Sequence, residues 1–83
     1  MEEYPTYNEY RSQIDAMVSR AELTAEQGII LIQCFKATLN NLPVHINYLM
    51  ACTGSDWQRL NWTVNGLVCR GAIRKIEDKF YMV

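Results

Sequence analysis

One four-residue pattern, [ST]-x-x-[EQ], occurs three times in this chain: Thr6 to Glu9, Thr24 to Gln27 and Ser55 to Gln58. In such a capping box the hydroxyl accepts from the backbone N–H three residues on. The Glu or Gln side chain reaches back to the N–H of the cap residue. Three boxes predict three helix starts, and apolar spacing fills in the helices behind them. Tyr7, Tyr10, Ile14, Met17, Val18 and Ala21 fall at steps of three and four, which predicts a helix over 7–20. Ile29 to Ile32, Cys34, Phe35, Ala37 and Leu39 nearly encircle a second helix over 25–39, as expected of a central buried element. Asn40-Asn41 ends it.

Pro43 can open a short third helix over 43–52, with Ile46, Leu49 and Met50 on one face. Thr53-Gly54 breaks the chain, and Gly54 suits the positive φ of a tight turn between helices. The third capping box then opens a fourth helix over 55–70, with Gly71 as its C′ glycine. Two β-prone segments follow, joined at Glu77-Asp78, and read as a hairpin over 72–83. Pairing Ile76 with Lys79 puts Ile73, Phe80 and Met82 on one face, and Arg74, Lys79 and Tyr81 on the other. The 83 residues make one domain, mainly α with a C-terminal β-hairpin: a winged helix-turn-helix.

From Leu23 to about Ile73 the chain resembles the MarR-type winged helix regulators. Leu23-Thr24 and Gln27 look like the "LTxxQ" that opens their central helix, and Leu49 to Gly54 sits where they carry "LAxxLG". Leu60, Val64, Leu67 and Arg70-Gly71 follow at that family's spacing without a gap, ending in Ala72-Ile73. Met50 and Thr53 depart from the pattern. The short wing lacks the family's Asp-Arg pair, and the helices that dimerise those proteins have no counterpart here. The chain is similar as well to small single-domain winged helix proteins of plasmids, phages and fimbrial operons. The resemblance implies the fold and DNA binding, but neither a dimer nor an effector pocket.

A helical wheel separates the two tryptophans of the fourth helix. Trp57 falls within roughly 80° of Leu60, beside Val64, Leu67 and Val68, and is expected in the core. Trp62 falls nearly opposite, with Gln58 and Asn65, while Arg59 and Asn61 flank it. Gln and Asn can bond adenine bidentately and Arg guanine. Ser55, Gln58, Arg59, Asn61, Trp62 and Asn65 are therefore the candidate DNA contacts of this helix. Arg74, Lys75 and Lys79 are candidate phosphate contacts of the wing. The net charge of −1 hides an asymmetry: residues 1–50 carry three Lys/Arg against six Asp/Glu, and residues 51–83 carry five against three. So few cations bind phosphates weakly, so a homodimer or a larger protein partner is expected beside double-stranded DNA. Tyr4, Tyr7 and Tyr10 are the candidate dimer contacts. The alternative is a protein–protein interaction module, for example an anti-repressor or adaptor, that uses the exposed face around Trp62.

Other classes fail on inventory. The chain has no glycine-rich phosphate loop and no cysteine–histidine pair at motif spacing. Asp56 and Glu77-Asp78 suggest no shared acid/base pocket, so neither an enzyme nor a small-molecule cofactor is expected. Cys34, Cys52 and Cys69 lack CxxC spacing, and His45 is the single histidine, so no metal site is expected. His45 reads as an exposed helix-start residue. The segment MEEYPTYNEY has neither part of a signal peptide, and no apolar run reaches membrane-spanning length. The expected setting is therefore cytoplasmic, with reduced thiols and no membrane contact. In that setting the glycosylation pattern Asn61-Trp62-Thr63 is accidental.

Overall fold

A computed structural model describes residues 5–77 and 79–82. Tyr4 and the ends of the expected hairpin turn and strand, Asp78 and Val83, lie outside the described residues. The elements follow in the order α1 (Tyr7–Ser19), α2 (Ala25–Leu39), β1 (Val44–His45), α3 (Ile46–Thr53), α4 (Trp57–Cys69), β2 (Ile73–Ile76) and β3 (Lys79–Met82). The fold is mainly helical with a small three-stranded antiparallel sheet.

Two capping boxes form as the sequence predicts. The Thr6 hydroxyl accepts from the Glu9 N–H (3.1 Å) and Glu9 accepts from the Thr6 N–H (2.9 Å). The Thr24 hydroxyl and Gln27 do the same at the start of α2, at 3.1 and 2.9 Å. Each box satisfies two backbone donors that a helix start leaves orphaned.

The third helix starts later than expected. Pro43 does not open it; α3 begins at Ile46. Val44 pairs instead with Phe80, and His45 with Lys79, so this segment is a third strand, β1, at the sheet edge. Proline is tolerated just before an edge strand because its missing N–H costs the ladder nothing there. His45 stays exposed and makes no side-chain cap to α3. The hairpin register is the expected one, with Ile76 opposite Lys79 and Ile73 opposite Met82. Glu77, the first turn residue, has a φ of 59°, the positive value that a two-residue hairpin loop demands even of a non-glycine.

Helix α2 is the axis of the core. Its Ile30, Leu31, Cys34 and Phe35 are buried against Ile14 of α1, Leu49 of α3, Leu60, Val64 and Leu67 of α4, and Ile73 and Phe80 of the sheet. Tyr10 stacks on Phe35, with ring centroids 4.0 Å apart and planes 7° from parallel. Burial, with the nearby Cys34, pushes the Tyr10 hydroxyl up to about 12, and burial pushes the Cys34 thiol up to about 12 as well. Among the described residues no helix is long and apolar enough to cross a membrane.

Gly28 lets α1 approach. A Cβ at this position would stand 3.1 Å from Val18 Cγ2 and 3.2 Å from Ile14 Cγ2. Both neighbours are β-branched and stiff. Gly28→Leu is therefore expected to lift α1 from α2 and to cost about 2 kcal/mol. A thermal melt followed by circular dichroism should show a loss on the order of 10 °C, with α1 becoming the first site of limited proteolysis.

Candidate nucleic-acid interface

The turn from α3 to α4 is made by Gly54, whose φ of 72° ends α3 as a left-handed cap. Helix α4 then rests on the body through Leu60, Val64 and Leu67, all fully buried. The remaining positions divide by azimuth. At about 100° per residue, Gln58, Trp62 and Asn65 fall within an arc of roughly 60° opposite Leu60. All three are exposed, and Trp62 is 81% exposed. Asn61 is half-buried on the flank towards the sheet, and Arg59 lies on the flank towards α2.

The third capping box does not form. Asp56 is the N-cap of α4, and its Oδ1 accepts from the Arg59 N–H at 2.8 Å. Asp and Ser are near-equal caps, so neighbouring residues compete for the position. The competition is settled by Ser55, whose hydroxyl instead donates to Glu26 Oε2 of α2. Ser55 is thereby occupied inside the chain and half-buried, not presented as a contact. Gln58, expected to be spent in part on the box, is left free of it.

Glu26 also draws Arg59, with Oε2 3.4 Å from Nε. The Glu26 side chain is 14% exposed and that of Arg59 is 72% exposed. Burial is the largest single influence on the Glu26 carboxyl and acts to raise it. The hydrogen bond from Ser55, the nearby Thr63 hydroxyl and the Arg59 charge together outweigh burial and leave Glu26 below the ordinary glutamate value, although its buried Oε1 accepts no hydrogen bond. One carboxylate of α2 thus ties down the first turns of α4.

Trp57 is not in the core, contrary to its place on the wheel. It is 57% exposed, in a shallow groove with Ile46, Asn61, Lys75 and Phe80. Azimuth alone misleads here because Trp57 is the first residue of α4, one turn beyond Leu60, where the ring overhangs the body. Trp57 therefore joins the outer surface of α4, between the helix and the hairpin.

The three hairpin cations do not share a face. The register puts Arg74 and Lys79 on one side, opposite Tyr81 and Ile76, and Lys75 on the other beside Phe80. Lys75 Nζ lies 6.0 Å from the Phe80 ring centroid and borders the groove with α4. Positive charge is interrupted along this surface by Glu26, Asp56 and Glu77. Of the tyrosines expected at a dimer contact, Tyr10 is engaged in its own chain by the Phe35 stack, and Tyr7 lines a half-buried groove between α1 and α2. Among the described residues no group of three or more His, Cys, Asp or Glu is placed to hold a metal.

Because Glu26 is lowered when folded, it contributes stability above the ordinary value of 4.5 that is lost as pH falls through its folded value. The Glu26→Gln variant keeps an acceptor for Ser55 but not the charge. The melting-temperature gap between wild type and Glu26→Gln is therefore expected to be largest near neutrality and to shrink as pH falls below 4.5 and through the lowered folded value; a gap that does not change with pH would contradict this role.

No family model, curated protein or solved structure matches this chain.

Proposed function

We propose that this protein is a winged helix regulator that binds double-stranded DNA, with α4 in the major groove and the β2–β3 hairpin as a wing on the adjacent backbone. The observation that carries this reading is the division of α4: three buried residues hold it, and an uninterrupted outer arc of Gln58, Trp62 and Asn65 is left to solvent. The order α3, glycine turn, α4, hairpin supports it, since a second helix after a short turn is the element such domains insert into the groove. Arg74 and Lys79 on the open face of the hairpin, and Lys75 beside α4, supply phosphate contacts that position the helix. The cations are few and interrupted by acids, so affinity from one copy is low. A second copy or a larger protein supplies the rest.

A second reading is favoured by one observation. Two large indoles, Trp57 and Trp62, are exposed on a single helix whose one arginine is already ion-paired. Exposed tryptophan ringed by polar groups is what an interface hot spot looks like, and the same surface fits a protein partner.

The readings separate on salt and on one side chain. For the DNA reading, affinity for duplex falls steeply with salt. Arg74→Ala weakens all sequences by a similar factor and reduces the slope of log K against log[salt] by about 0.9. Duplex binding that is absent at low salt, in fluorescence anisotropy with the intact chain, sinks that reading. For the protein-partner reading, Trp62→Ala removes the partner while the melting temperature stays within about 2 °C, since so exposed a ring contributes little to stability.

A further inference from the structure

We infer that α4 reads A·T base pairs: the half-site under its outer arc is A·T-rich and contains no required guanine. This rests on the DNA-binding reading above and names the class of sequence that the same site would take.

The inference comes from what the arc contains. Gln58 and Asn65 each present an amide, and Asn61 adds a third from the hairpin side. An amide offers one donor and one acceptor in the fork that matches adenine N7 and N6 in the major groove. Between the two central amides stands Trp62, whose apolar edge has one favourable base partner there, the thymine methyl group. Guanine presents two acceptors, N7 and O6, and needs a cation with paired donors. The centre of the arc has no cation. The single arginine of α4 before its C-terminal cap, Arg59, leaves the helix on the α2 flank, with Nε directed to Glu26 at 3.4 Å. That pairing holds the guanidinium beside a mostly buried carboxylate that Ser55 also holds, off the centre of the arc. Arg59 is thus suited to a phosphate on that flank. Lys75 lies across the groove from Trp57 and is drawn over Phe80, not towards the arc. Four residues, two helices and one ion pair therefore agree on the same base chemistry.

The test is selection of bound duplexes from a random library by the full chain at low salt, followed by footprinting of the enriched site. The expected motif has A·T pairs at the major-groove positions protected by α4. Asn65→Ala should relax one of those positions, lowering its A preference on the order of ten-fold. Gln58→Arg should convert one position from adenine to guanine, since it substitutes the paired donors that guanine requires. Both changes are at exposed sites and leave the fold intact, which the melting temperature checks. A wild-type motif with an obligatory guanine under α4, or salt-dependent binding with no base preference, overturns the inference and leaves the DNA reading standing. Failure of every duplex to bind overturns both.

Discussion

Everything outward about this molecule follows from how little of α4 is used inward. Leu60, Val64 and Leu67 form a narrow stripe, and their burial against α2 and β2 fixes the helix's rotation about its own axis. Each such side chain contributes about 1.5–3 kcal/mol when fully buried. A rotation that hid Trp62 would have to expose that stripe, so the polar arc has no alternative placement. At the start of the helix a polar contact is added: Glu26 takes the Ser55 hydroxyl and the Arg59 charge at once. Apolar burial chooses the face, and one carboxylate trims the start.

That division has an electrostatic consequence. A carboxylate at the start of α2 already gains from the positive end of the helix dipole. Placed beside α4, it also takes up part of the positive charge that a groove-binding helix ordinarily spends on phosphates. The turn into α4 is tied to the body, and one cation of the helix is left less available to an anionic partner. With Asp56 and Glu77 also on this surface, the proposed DNA reading has to rest more on base contacts and a second binding unit than it would in a strongly basic domain.

Much of the fold was legible in the sequence, because helices announce themselves locally. Two capping boxes, the period of Tyr10, Ile14 and Met17, the apolar density of α2 and the Ile76–Lys79 register each depend on residues within a few positions of one another. What was not legible depends on partners far along the chain. β1 is two residues long, too short to show a period of two, and it exists only because β3 pairs with it, Val44 with Phe80 and His45 with Lys79, from far along the chain. The cap of α4 moved from Ser55 to Asp56 because Glu26, 29 residues earlier, claims the Ser55 hydroxyl. Gly28 looks like a flaw in a helix until α1 is laid across it. In the site, the outward set of Gln58, Trp62 and Asn65 was readable from the wheel. The exposure of Trp57 and the ion pair at Arg59 needed the tertiary frame.

Trp62 is where the two functional readings press hardest on one another. A tryptophan can bury roughly 150–250 Å² of surface, and here most of that area faces water. At about 25 cal/mol per Å² the exposed ring holds several kcal/mol in reserve for whatever covers it. A phosphate-lined groove covers an indole poorly at most sequences, because its walls are charged and hydrated. The exception is a run of thymine methyl groups, an apolar strip on the groove floor. On the proposed DNA reading an exposed indole flanked by amides is best covered by A·T-rich sequence, and on the second reading by an apolar protein surface. The choice between the two proposed readings is in this sense a question of what surface covers Trp62.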